Sequence, residues 1–245
     1  MTKLIFLGSG GGRFVTQTQT RRTGGLWLEA NGKNIMIDPA PGTIVRSLEY
    51  NTPLLKLDAI LVSHKHLDHY GDTEVCIEGM THGMGEVRGT LFINKNTSSY
   101  VSDYHKDMTE VIEFSDIGKW KLCGIDIETI PTFNHDGAFG FKFHLDDCII
   151  SVSSDTNYSP ELAKYYSGSD ILILNVLRPD SSKIQKHLCV SEAAKIISEA
   201  KPKLAIITHF GYELASSDTD AIAEKMTKET GVDVISAHDG LGIDV

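Results

Sequence analysis

The chain has 245 residues, 41% hydrophobic and 23% charged. It is therefore long enough to bury a core without disulfide staples, and its composition excludes a disordered or collagen-like chain. Its 33 acidic against 23 basic residues leave a net charge of −10, which opposes non-specific attraction to nucleic acid or an anionic membrane surface. Cys76, Cys123, Cys148 and Cys189 show no CxxC spacing, which excludes a zinc ribbon or secreted disulfide framework and suits a reducing compartment. The opening apolar run stops at glycines, too short for a signal sequence, and no stretch approaches the roughly 20 apolar residues of a membrane span. A cytoplasmic protein without membrane contact is expected.

In chain order, residues 3–7 read as a strand running into the glycine-rich stretch 8–12. Strands at 25–29 and 34–37 flank Asn31-Gly32, a hairpin signal. Residues 43–49 look helical, and 59–62 form a strand that enters a histidine-rich loop. The glycine-rich stretch 70–90 fits neither pattern cleanly. Residues 90–93 read as a strand, 97–106 as a helix, and 111–147 as several strands broken by turns. Strands are then expected at 148–153, 171–176, 204–208 and 234–236, with helices at 159–166, 190–200 and 218–230. Ser191, just ahead of Glu192, is placed to cap the helix at 190–200. Hairpin strands followed by alternating strand and helix appear in both halves, which points to an α/β fold of sheets covered by outer helices. No linker or low-complexity segment breaks residues 1–245, so one domain is expected.

The segment Ser63-His64-Lys65-His66-Leu67-Asp68-His69 places three imidazoles and a carboxylate within six residues at a strand end. These ligand types suit zinc, manganese or iron, and alternate residues of one loop can point at two ions a few ångströms apart. His135, Asp155 and His209 recur at further strand-to-loop positions and together supply the remaining ligands of a two-metal site.

Over essentially its whole length the chain resembles the metallo-β-lactamase superfamily. The resemblance rests on the HxHxDH run and on Ile37-Asp38-Pro39-Ala40-Pro41-Gly42, Phe133-Asn134-His135-Asp136 and Val152-Ser153-Ser154-Asp155-Thr156. Ile207-Thr208-His209-Phe210 and the closing His238-Asp239-Gly240-Leu241-Gly242-Ile243 complete it. It implies a four-layer αββα sandwich with a dinuclear site along the edge between the sheets. It also implies that His64, His66 and His135 hold one metal, that Asp68, His69 and His209 hold the second, and that Asp155 bridges them. Asp38 would orient the histidine loop by hydrogen bonds, the alternative being a plain turn aspartate before Pro39. The segment around His187 is similar to one in the tRNase Z and phosphonate-pathway phosphodiesterase branch, where the histidine faces the reacting phosphate. The competing reading is a loop histidine over the helix start. His238 has no assigned role, and His82, His105 and His144 read as surface residues without partners.

Two divalent ions, zinc first with manganese or iron as alternatives, would generate a bridging hydroxide and bind the oxygen on which charge develops. Asp68 would aim that nucleophile while ligating a metal, and His187 would stabilise the oxyanion or protonate the leaving oxygen. Histidine rather than glutamate at position 66 separates the chain from diiron flavoproteins, and the full ligand set separates it from secreted β-lactamases. Only 20 residues separate His135 from Asp155, too few for the tRNA-gripping arm of tRNase Z. A small phosphodiester is the expected substrate and nucleic acid is disfavoured. Arg21-Arg22 would contact phosphate or form a solvated loop. Thioester or lactone hydrolysis is the alternative, with redox or non-catalytic roles behind it. A homodimer is a further expectation, with 10–25 or 70–90 as candidate contacts.

Overall fold

The computed structural model describes residues 2–135 and 137–245; Met1 and Asp136, the latter part of the Phe133–Asp136 motif, lie outside them. Apolar residues on both faces of most strands require cover on both sides, and the fold supplies it as two stacked sheets with helices outside. The first six strands are β1 (Lys3–Phe6), β2 (Leu26–Ala30), β3 (Lys33–Ile37), β4 (Ala59–Val62), β5 (Thr90–Asn94) and β6 (Glu110–Phe114). The second sheet uses β7 (Lys119–Leu122), β8 (Ile125–Pro131), β9 (Phe139–His144), β10 (Ile149–Val152) and β11 (Ile171–Arg178). It continues with β12 (Leu188–Cys189), β13 (Leu204–Thr208) and β14 (Asp233–Ser236), and β15 (Gly242–Asp244) returns to the first sheet. The sheet orders are β15-β1-β2-β3-β4-β5-β6 and β14-β13-β11-β10-β9-β8-β7, with β12 beside β11.

Each half repeats one plan. Strands β1 to β3 pair antiparallel and β3 to β6 parallel; β7 to β10 pair antiparallel, then β10, β11, β13 and β14 pair parallel. Side chains alternate across each sheet. Ala59 and Leu61 therefore face the central core with Phe92, Phe141, Ile173 and Ile206, while Ile60 and Val62 face outward. Outward residues of the first sheet pack on Cys76, Ile77 and Met80 of the helix Thr73–Met80. Those of the second, Leu172, Leu174 and Ile207 among them, pack on Ile196 and Ile197 of Val190–Ala200 and Met226 of Thr219–Thr230. This is the αββα arrangement.

Asn31 and Gly32 both take positive φ, 50° and 72°, in a two-residue hairpin loop between Ala30 and Lys33, as the Asn-Gly pair requires. Other local expectations are corrected. The stretch 70–90 contains the helix Thr73–Met80. The helix expected over 97–106 is two single turns, Lys95–Ser98 and Asp103–Lys106, because the Asn94 and Ser102 side chains each cap a new start. Residues 13–18, given no element by the sequence, form with Gly12 the helix Gly12–Thr18. Ser191 does not cap the helix Val190–Ala200. Cys189 does, with its amide donating to Glu192 Oε2 at 3.1 Å and its thiol in the place of a hydroxyl. Among the described residues no helix is long and apolar enough to cross a membrane.

Because a hydroxyl is the better acceptor at that cap, Cys189→Ser should melt within a degree or two of the parent. Cys189→Val should lose about 1 kcal/mol, roughly 2–4 °C in a thermal melt.

Candidate metal centre

The repeated plan brings the carboxyl ends of parallel strands from both sheets to one edge of the sandwich, where open α/β sheets present their ligand crevices. Asp38 follows β3, the histidine loop follows β4, Asp155 follows β10 and His209 follows β13; His135 lies beyond β8. Asp38, itself at φ 52°, holds the histidine loop together. Its Oδ1 accepts from the Ser63 amide at 2.7 Å, and its Oδ2 accepts from Ser63 Oγ at 2.7 Å and meets His69 Nδ1 at 2.8 Å. With Nδ1 engaged, His69 turns Nε2 toward Asp155 Oδ2, 3.4 Å away.

Two clusters of candidate ligands result. Ligand atoms of His64, His66, His135 and Asp155 lie within 4.8 Å of one another, and so do those of Asp68, His69 and His209. Asp155 sits between them. Its Oδ1 is 3.3 Å from His209 Nε2, and its Oδ2 is 3.4 Å from His69 Nε2 and 4.0 Å from His64 Nε2. The donor set fits divalent cations on a further observation. Buried His69 Nε2, His209 Nε2 and both ring nitrogens of His135 have no hydrogen-bond partner among the described residues. A buried polar atom without a partner costs about 1–3 kcal/mol, which a cation accepting its lone pair would relieve.

Electrostatics prepare the same site. Burial pushes His64 well below the ordinary imidazole value, lowers His66, and takes His135 down to about 4, so all three are neutral near pH 7, as ligation requires. Burial also acts against charge on His69, yet Asp155 and Asp38 together raise it well above the usual value. Burial would raise Asp155, but the neighbouring His209 and His69 hold it well below the usual carboxylate range. Asp68 is likewise lowered against its burial by His69 and His209, and the Gly12 amide donates to its Oδ2 at 2.6 Å.

His187 stands beside these clusters with Nδ1 3.3 Å from Asp155 Oδ2 and its ring centroid 5.3 Å from that of His135. The helix start that follows it is capped by Cys189. Both His187 and Asp68 line a cleft of about 420 Å³ over the clusters, with Arg13, Arg178 and Lys186 among its walls. Sequence reasoning missed these cations and offered the pair Arg21-Arg22 instead, as phosphate contacts or as a solvated loop. Arg21 is a strut: it donates to the Ala237 carbonyl at 3.0 Å and to Thr219 Oγ1 at 2.8 Å, and stacks over Phe210 at 4.8 Å. The Arg22 backbone amide binds Asp239 Oδ2 at 2.9 Å, and neither arginine lines the cleft.

Asn175 was also missed. Its Nδ2 donates to Asp155 Oδ1 at 2.9 Å from inside β11. Its register with Ile171 and Ile173 places a polar residue where the core pattern calls for an apolar one, a signal legible in the sequence. The histidines expected to be partnerless are paired: His82 with Glu86, His105 with Glu74 and Glu78, His144 with Glu128. His238 pairs with Asp220 at 2.8 Å, away from both clusters.

Replacing Asp38 by alanine should leave His69 without its orienting acceptor. Divalent-metal affinity should fall roughly 10–100-fold in competition with a chromophoric chelator.

Residues 33–210 match the family model described as Beta-lactamase superfamily domain. The uncharacterized protein MJ1374 of Methanocaldococcus jannaschii is 34% identical over 255 residues, covering 99% of this chain and 95% of its own length. A solved diphosphatase from the PhnP family superposes with a TM-score of 0.76 at 20% identity, covering 100% of this chain and 98% of that one. Human tRNase Z, short form, gives a TM-score of 0.76 at 15% identity, with 99% of each chain covered. The two superpositions carry the fold, and the family's members are metal-dependent hydrolases. With the αββα layers and the clustered imidazoles and carboxylates at their shared edge, these matches establish that the chain belongs to the metallo-β-lactamase superfamily.

Proposed function

We propose that the protein is a dinuclear metal-dependent phosphodiesterase acting on a small phosphodiester. The observation that carries this reading is a cleft with cationic walls opening directly onto two convergent ligand clusters, in a chain whose net charge is −10. An excess of negative charge elsewhere makes Arg13, Arg178 and Lys186 a local invitation to an anionic substrate. The same global charge disfavours long nucleic acid, which needs an extended basic track.

In this reading His64, His66 and His135 hold one ion, Asp68, His69 and His209 hold the other, and Asp155 lies between them. Zinc is preferred for the imidazole-rich set, with manganese or iron accepted by the same ligand types. The ions would supply Lewis acidity toward phosphoryl oxygens and lower the pKa of water. Asp68 keeps one oxygen fixed by the Gly12 amide, which leaves Oδ1 to accept a proton from the attacking water. His187 has Nδ1 engaged by Asp155, so Nε2 is the ring atom left to face the substrate, where the doubly protonated ring would donate to the leaving oxygen or the developing oxyanion. Leu177 and Ile184 give the cleft apolar wall that limits water around the reacting group. The free thiols, three of them buried, fit a cytoplasmic setting.

Metal-loaded protein should hydrolyse bis-p-nitrophenyl phosphate, and Asp68→Asn should lower kcat by about 10²–10⁴-fold. No turnover with zinc, manganese or iron bound would remove the phosphodiesterase reading and move thioesters and lactones ahead of it. His187→Ala should cost at least about 10²-fold in kcat while retaining both metal equivalents. Gly11→Ala should behave differently, because a Cβ there would collide with the His209 imidazole. Calorimetric zinc titration should give two equivalents for the parent chain and one for that variant.

A further inference from the structure

The mouth of the cleft holds two aromatic rings that neither the core nor the metal chemistry explains. Phe14 is 58% exposed and Tyr212 47% exposed, yet they meet edge to face with centroids 4.9 Å apart and planes at 77°. Both line the cleft over the clusters. Their placement is fixed by the site itself. Phe14 lies two residues beyond Gly12, whose amide binds Asp68, and Tyr212 lies three beyond His209. Gly211, next to Tyr212, is pinned by its amide to the Leu177 carbonyl at 3.0 Å. Any shift of these segments would disturb the candidate ligands, so the rings are held in place although solvent surrounds much of them.

An exposed ring loses the favourable transfer that burial would bring, whereas a ring pair beside a concave wall gives a planar group an apolar face to stack on. The charges beside the pair say what such a group would carry. Among the described residues, neither Arg13 nor Lys186 has an ion-pair partner, and Arg178 shares Glu213 at 3.3 Å. The cleft volume of about 420 Å³ falls within the roughly 300–1,000 Å³ of small-ligand sites. Apolar platform, free cations and candidate metal ligands line one cleft, which thereby offers a contact for a base, for a phosphate and for a scissile ester.

We propose that Phe14 and Tyr212 form a stacking platform for the base of a nucleotide, whose phosphate charge is met by Arg13 and Lys186 beside the metal centre. This rests on the reading of the cleft as a phosphodiesterase site, and it narrows the substrate to a nucleotide ester. Stacking tolerates any base, so the platform selects for a base over none rather than for one base over another.

Two measurements separate this proposal from the reading beneath it. The first compares thymidine 5′-p-nitrophenyl phosphate with methyl p-nitrophenyl phosphate, which share a leaving group and differ only in the group left behind. The metal-loaded protein should favour the thymidine ester at least tenfold in kcat/KM, and in Phe14→Ala/Tyr212→Ala the ratio should fall to near unity. The second is calorimetric binding of AMP against ribose 5-phosphate, which needs no turnover. AMP should bind at least tenfold more tightly, and the double variant should lose that difference; a thermal melt and zinc titration report whether it is folded and loaded. Equal binding of AMP and ribose 5-phosphate to the parent chain would overturn the platform, whatever the turnover. A preference for AMP that survives the double substitution would overturn it as well. An AMP preference abolished by the substitutions, with neither ester hydrolysed, would support the platform and overturn the phosphodiesterase reading alone.

Discussion

A carboxylate removed from water at the seam of two sheets is the constraint around which this molecule is organised. Asp155 is 1% exposed, and an ion so buried carries a desolvation penalty on the order of several kcal/mol unless its surroundings compensate. They do so from four directions: Asn175 donates to one oxygen, and the imidazoles of His69, His187 and His209 converge within 3.4 Å of the pair. A site this rich in donors and lone pairs becomes coherent once divalent charge is admitted, because the unpartnered ring nitrogens then gain acceptors for their electrons. His69 shows the conflict most clearly, since Asp155 and Asp38 favour its charge against its burial.

The sheets solve the delivery problem. A strand end is a rigid place from which to launch a side chain, and parallel strands put many such ends at one edge. The Asp38 clamp on Ser63 and His69 orders a loop that would otherwise have several rotamer choices, and the parallel bridge between Gly10 and Phe210 ties the glycine segment to the His209 turn. The helix Gly12–Thr18 therefore starts against Asp68, and Arg13 and Phe14 in its first turn are carried to the cleft.

What the sequence could disclose follows from how local each feature is. The histidine loop was legible because its ligand types crowd into one short segment, and His135, Asp155 and His209 because each follows an apolar strand. Asn175 visibly interrupts an apolar run, but a lone polar position does not say which group across the fold it serves. Arg13 and Lys186 gave no periodic or motif signal, since the cleft they line exists only where distant segments meet in space. Arg21 was left between phosphate contact and solvated loop for the same reason: nearness to the glycine run in sequence did not decide whether the side chain turned outward to the cleft or inward over Phe210. The helix caps failed at the level of single residues, where a thiol at Cys189 took a place more often held by a hydroxyl.

The repeated plan of the two halves has a mechanical consequence. Each ligand cluster draws members from both halves: His64 and His66 meet His135 and Asp155, while Asp68 and His69 meet His209. Neither half of the chain could assemble a cluster by itself. A cation bound at the seam would act as a reversible cross-link between distant stretches of polypeptide, and because the unfolded chain presents no such site, its binding free energy would add to that of folding. Metal supply would then govern how firmly the two sheets are clasped as well as whether the edge between them is reactive, in a protein whose cysteines form no disulfide.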